Sequence, residues 1–405
     1  MGERLISFVG LGVMIGIAFL LSEDKKKINW RTVISGVLLQ IIFGLFILKT
    51  GIGRSIFEGA KEFFNSILGY TNEGSKFLFG DLTNYQKVGF VFATMVLPTI
   101  LFMSSLMSVL YHLGIMQVVI KFTAWAMVKV MGTSGAESLS AAANIFAGQT
   151  EAPLVIKPYI SKMTRSELMA LMTGGMATVA GGVLAAYVGL GIDAGHLLAA
   201  SVMSAPAALV CAKLMVPERE HSLTIGKVEV SFEKTTSSVI DAAAHGASEG
   251  LHLALNVGAM LLAFIALIAM LNGMLAWFGG LIHVPTLSME MITGYLFAPI
   301  AFILGVPWSE SIQVGVLLGK KLVVNEFVAY LDLQQQLTTL SPRSVTIATY
   351  ALCGFANFSS IAIQLGGIGT LAPERRKDLA SLGIKCLIGG TLACLMTAAI
   401  AGMMI

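Results

Sequence analysis

Charge is scarce in this chain: 12% of its 405 residues are charged, against 56% hydrophobic. That balance lies outside the range of water-soluble chains and makes a lipid bilayer the main solvent. Strict apolar alternation is missing as well, which excludes a transmembrane barrel and leaves helices as the spanning elements. The six histidines (His112, His196, His221, His245, His252 and His283) form no His-Glu-x-x-His pair, and no Gly-x-Ser-x-Gly elbow occurs. An enzyme is therefore not expected, since the usual zinc and serine chemistries lack their parts. Cys211, Cys353, Cys386 and Cys394 sit in apolar runs without metal-ligand spacing and read as small core residues. A net charge of +3, spread over short loops, offers nucleic acid no patch to bind.

What is present is a series of apolar runs. Seven are uncharged, at 5–22, 32–48, 88–111, 168–192, 194–212, 253–282 and 344–373; an eighth, at 379–405, is interrupted only by Lys385. Each is long enough for a helix to cross a hydrocarbon core of about 30 Å. The first lacks a small-residue cleavage site and leads into a charged loop, so it is expected to be a retained helix. The fold class expected is an all-α integral membrane protein with eight transmembrane helices. Residues 53–70 are too polar to span, yet Ile56, Phe57, Ala60, Phe63, Phe64, Ile67 and Leu68 share one helical face, as in an interfacial helix. Residues 215–248 read as a hydrophilic connection ending in a helix.

Loop charge sets orientation, because Lys and Arg are retained on the cytoplasmic side. Four basic clusters fall in alternate loops: Lys25, Lys26, Lys27 and Arg31; Lys157, Lys162 and Arg165; Lys213, Arg219, Lys227 and Lys234; and Arg375, Arg376 and Lys377. All are cytoplasmic together if both termini are outside.

Two regions break the apolar pattern. Residues 138–160 carry the cluster Gly148-Gln149-Thr150-Glu151-Ala152-Pro153 between arms too short to span, and residues 308–331 do the same around Gly319, Lys320, Lys321, Asn325 and Glu326. Each reads as a re-entrant hairpin, the first entering from the cytoplasm and the second from outside. Backbone of this kind is tolerated at membrane depth only against protein or a watery cavity. Each hairpin precedes a run with paired glycines and polar groups: Thr173, Gly174, Gly175, Thr178, Gly181 and Gly182, then Asn357, Ser359, Ser360, Gly366 and Gly367. This is the inverted-repeat plan in which transporters hold substrate and ion near the midplane.

Intramembrane carboxylates are costly, so Glu151 and Glu326 are functional candidates. The competing structural role for Glu326 is to neutralise Lys320 or Lys321. Gln149, Asn144, Asn325 and Asn357 have the alternative role of holding helices together, and Ser359 and Ser360 that of bonding back to a preceding turn. Amides and hydroxyls complement the edge of a nucleobase, and a carboxylate accepts two hydrogen bonds from a vicinal diol. No buried surplus of Arg or Lys is present to clamp a phosphate.

Three segments resemble the signatures of the concentrative nucleoside transporters, in order and across essentially the whole chain: Gly148-Gln149-Thr150-Glu151-Ala152-Pro153-Leu154, Val324-Asn325-Glu326-Phe327-Val328-Ala329-Tyr330, and Gly354-Phe355-Ala356-Asn357-Phe358-Ser359-Ser360-Ile361. The resemblance implies a sodium-driven nucleoside symporter of the bacterial inner membrane, with a trimerising scaffold and a transport domain that moves as an elevator. It divides the chain into scaffold and interfacial helices at 1–115, a first transport half at 116–217, a connection and scaffold helix at 218–285, and a second transport half at 286–405. By resemblance, Gln149, Thr150 and Glu151 face the nucleobase, with Gly148 and Val183 closing the pocket. Glu326, Asn357 and Ser360 hold the ribose, and Phe355 flanks the sugar or the base. Sodium is held by Asn144, by the carbonyls of Ala147 and Val179, and by Thr178, where close relatives are expected to carry serine. The alternative of the same kind is a proton-coupled nucleoside carrier using Glu151 or Glu326; those of other kinds are a channel and an intramembrane enzyme.

Overall fold

The computed structural model describes residues 2–405 except 90, 227–235, 282 and 285, and at 54, 57, 60 and 85 it describes backbone only. Lys227 and Lys234, and the side chains of Phe57 and Ala60, thus lie outside the described residues. Nearly all the described chain is helical, and one isolated bridge, Ser134 with Ile225, is its only β pairing.

The N-terminal part runs α1 (Gly2–Leu20), α2 (Trp30–Lys49), α3 (Gly51–Phe79), the single turns α4 (Tyr85–Val88) and α5 (Phe92–Met95), and α6 (Leu97–His112). Asn29 starts α2 by accepting the Arg31 N–H, and Thr50 starts α3 by accepting that of Gly53. The helix α3 extends past the expected 53–70. Its buried face is Phe64, Ile67, Thr71 and Ser75, whereas Ile56 and Phe63 are exposed, so the expected face turns toward the C-terminal half.

Two similar series follow. The first is α7 (Ile115–Met131), α8 (Gly135–Ala143), an irregular stretch leading to a 3-10 turn at Ala152–Ile156, α9 (Lys157–Ile160), α10 (Arg165–Ala177), α11 (Gly181–Gly189) and α12 (Ala194–Met215). After α13 (Val239–Leu281) comes the second: α14 (Met289–Ile303), α15 (Trp308–Val323), α16 (Glu326–Gln336), α17 (Pro342–Leu352), α18 (Phe358–Leu371) and α19 (Arg376–Met404). In each series a helix leads into a hairpin, then a helix broken in its middle, then a long helix. The long helices α12 and α19 pack on each other and on α10 and α17. These, with α11, are almost wholly buried, whereas α1, α2, α6 and α13 form a mostly exposed apolar periphery.

Seven helices among the described residues are long and apolar enough to cross a membrane: Gly2–Leu20, Trp30–Lys49, Phe92–His112, Arg165–Gly189, Ala194–Met215, Val239–Leu281 and Pro373–Met404. The run at 344–373 is not the single helix expected. It splits into α17 and α18 because residues 353–357 leave the helix, with Cys353 and Asn357 extended, Gly354 at φ +149° and Asn357 capping the new helix. The helix α14 was not expected. At 15 residues it reaches about 22 Å, short of a full crossing. It meets α15 at 118°, and the two pack through small residues: a Cβ on Gly315 would lie 2.6 Å from the Gly294 carbonyl, and one on Gly319 would lie 2.3 Å from Thr293.

Candidate functional site

The two broken helices cross at their breaks. The helix α10 ends at Thr178, whose backbone is extended, and the Phe355 N–H donates to the Thr178 carbonyl at 3.3 Å. A Cβ at Gly354 would sit 2.6 Å from the Cys394 sulfur and 2.8 Å from the Ala177 carbonyl, so this close approach needs glycine. Both hairpin tips reach this crossing.

A chain of hydrogen bonds then joins one hairpin to the other. Gln149 donates to the Ser360 hydroxyl at 3.1 Å, the Ser360 N–H donates to Asn357 at 2.9 Å, and the Asn357 amide donates to Glu326 at 2.9 Å. Tyr187 donates to the other Glu326 oxygen at 3.1 Å. Behind Gln149, Gln364 donates to its side-chain oxygen at 3.1 Å and to the Met172 carbonyl at 2.9 Å. Gly175 makes this possible, since a Cβ there would stand 2.8 Å from Gln364 and 2.9 Å from Gln149. The chain contains Gln149, Glu326, Asn357 and Ser360 of the expected substrate set. Glu151 accepts from the Gly148 N–H at 3.0 Å and is exposed, as is Thr150, which lies against Gly367. Val183 is buried and Phe355 half-buried.

Neither Lys320 nor Lys321 forms an ion pair with Glu326. Lys320 pairs with Asp332 at 2.5 Å and Glu290 at 3.2 Å, and Lys321 donates to the Ala351 carbonyl. Ser359 bonds back locally, donating to Asn357 at 2.7 Å. Tyr187 and Gln364 were missed by the sequence reading, because each lies in an apolar run with no polar neighbours to mark it.

The residues expected to hold sodium suit a hard, singly charged cation. The Asn144 side-chain oxygen is buried with no hydrogen-bond partner, and no hydrogen bond among the described residues ends on the carbonyls of Ala147 or Val179. Thr178 donates its hydroxyl hydrogen to Gly174 at 2.9 Å, which leaves its oxygen lone pairs free to coordinate. A set of neutral oxygens fits sodium, and no group of three or more His, Cys, Asp or Glu among the described residues offers a transition-metal site. All four cysteines are buried and unpaired.

A surface groove of about 800 Å³ lies elsewhere, along Val118, Phe122, Trp125 and Lys129 of α7. The site is marked by its convergent buried polar groups.

Three family models cover most of the chain: Na+ dependent nucleoside transporter N-terminus at residues 9–82, nucleoside recognition at 93–193, and Na+ dependent nucleoside transporter C-terminus at 196–402. The uncharacterized transporter YutK of Bacillus subtilis (strain 168) is 52% identical over 400 residues, covering 98% of each chain. The nucleoside permease NupC of Helicobacter pylori is 45% identical over 414 residues, covering 100% of this chain and 98% of its own. The solved structure of CNTnw in an inward-facing substrate-bound state superposes with a TM-score of 0.94 at 48% identity, covering 99% of this chain and 98% of the other.

Proposed function

The chain belongs to the Na+-dependent, concentrative nucleoside transporter family, and from that premise we propose that it takes up nucleosides by sodium symport, its substrate held between the two hairpin tips. The observation that carries this reading is the hydrogen-bond chain from Gln149 through Ser360 and Asn357 to Glu326. It sets the Gln149 amide at one end, for a base edge, and the Glu326 carboxylate at the other, for the two hydroxyls of a ribose.

In this reading Gln149, Thr150 and Glu151 face the base, with Gly148 and Val183 behind it. Glu326, Asn357 and Ser360 take the sugar, and Phe355 flanks it. Tyr187 and Asn357 each occupy one Glu326 oxygen, which orients the carboxylate before substrate arrives and lowers the ordering cost of binding. Asn144, Ala147, Thr178 and Val179 form the cation site. Its link to substrate is direct, since the Thr178 carbonyl accepts from Phe355. The unpartnered Asn144 oxygen supports sodium, because a buried neutral oxygen that receives no hydrogen bond suits a hard cation.

The buried bundle with its hairpins is the moving body of an elevator and the exposed periphery is the scaffold that trimerises, divided as 1–115, 116–217, 218–285 and 286–405. The protein resides in a bacterial inner membrane with both termini outside, as its loop charges ask. Uptake of radiolabelled uridine into proteoliposomes, under imposed sodium or proton gradients, tests substrate class and ion together. Accumulation driven by sodium alone is expected, and accumulation driven only by protons would overturn the coupling.

A further inference from the structure

Lys321 is 3% exposed, and no carboxylate lies within ion-pair distance of it among the described residues. It donates a hydrogen bond to the Ala351 carbonyl at 2.8 Å. That carbonyl belongs to the last turn of α17, just before the break. The Phe355 N–H, which would have closed this turn four residues on, donates to Thr178 instead. A buried ammonium with no carboxylate in contact is costly, and the Glu326 carboxylate acts on it only from beyond ion-pair distance, so it draws on a nearer source of negative potential as well. The C-terminal end of a helix supplies one, equivalent to roughly half a negative charge on its unclosed carbonyls.

The first half is built alike but filled differently. Asn144 caps the first arm of its hairpin, and its amide nitrogen lies 3.2 Å from where a Gly174 Cβ would be, in the last turn of α10 before that break. Lys321 lies in the last turn of the first arm of the other hairpin. In both halves, then, the end of the first hairpin arm reaches the carbonyl end of the broken helix that follows. One half offers a neutral side chain with an unpartnered oxygen, the other an ammonium.

We infer that Lys321 is a tethered cation, holding the carbonyl end of α17 in the second half as a mobile sodium ion holds that of α10 in the first. Only the first half then depends on an ion from solution. This rests on the sodium reading of the Asn144 site.

The test is thermal unfolding of the full-length protein in detergent, titrated with sodium chloride against choline chloride at constant ionic strength. Wild type should gain stability with sodium to first order, as one bound ion requires. Lys321→Met, and Lys321→Asn, which copies the residue type of the first half, should be less stable in choline and gain more from sodium, with a dependence that steepens towards second order. Lys321→Arg keeps the charge and should follow wild type. A constant offset of both neutral variants at every sodium concentration would mean that Lys321 is merely structural. Recovery of both only as aggregate, even from sodium buffers, counts against the proposal equally. A wild type indifferent to sodium would sink the sodium reading first, an outcome distinct from either of these.

Discussion

Tyr187 donates its phenolic hydrogen to one oxygen of Glu326 at 3.1 Å while its ring packs 4.3 Å from that of Tyr330, so a fully buried aromatic aims the carboxylate. If that carboxylate reads the ribose, Glu326→Gln replaces a double acceptor with a mixed donor and acceptor. It should weaken uridine strongly and narrow its advantage over the 3′-deoxy analogue. Tyr187→Phe should lose about 1 kcal/mol of uridine affinity, roughly fivefold, because the aim is lost but the charge remains. Competition binding on purified protein measures both, and equal losses for the two ligands with Glu326→Gln would mean the carboxylate does not read the sugar.

Gln364 orients Gln149 from behind, and its own oxygen is buried without a partner. Gln364→Ala should reduce nucleoside affinity about tenfold, an intermediate loss, since Gln149 stays present but unheld. Gln149→Ala should cost more. If binding is unchanged in Gln364→Ala, the second amide only packs helices.

Asn144→Ala and Thr178→Val each remove an oxygen from a site that has few. Both should raise the sodium concentration for half-maximal uptake, while Thr178→Ser, which keeps the hydroxyl, should not. Normal sodium dependence in both disruptive variants, at normal expression, would move the coupling toward protons.

Opposite entry of the hairpins can be read by labelling. A cysteine placed after Lys157 should react only from the cytoplasm and one near Asp332 only from outside. Reaction of both from one side would remove the inverted arrangement.

Glu23, in the loop after α1, accepts from Lys385 at 2.5 Å and Arg165 at 3.1 Å, tying α19 and α10 to the periphery. Burial raises its carboxyl, but these two partners outweigh burial and hold it below its usual 4.5. A carboxyl depressed on folding adds stability at pH above its unfolded value and loses it as pH falls through the folded one. Glu23→Gln should therefore be less stable than wild type at neutral pH by roughly 0.5–1 kcal/mol, the modest figure reflecting its partly exposed partners. The gap should close below about pH 4.5. Unfolding midpoints of both proteins from neutral to acid pH decide it.

Membership of the membrane class was legible from composition, since few charges and repeated apolar runs leave a chain no stable state but helices in lipid. The hairpins were legible too: carboxylates and amides between short apolar arms have only a buried interior in which to sit, and Gln149, Glu326, Asn357 and Ser360 do meet there. The interruptions of α10–α11 and α17–α18 were not, because both runs are apolar enough to read as continuous. They break where each finds partners on the other, as when Phe355 bonds to Thr178. Nor were Gln364, Tyr187 and the true partners of the two lysines. Gln149 and Gln364 are separated by 215 positions and Tyr187 and Glu326 by 139. Local periodicity assigns a residue to a helix and a face. Which buried polar group it then meets depends on how distant helices pack, and there each donor is matched to an acceptor that no neighbouring residue announces.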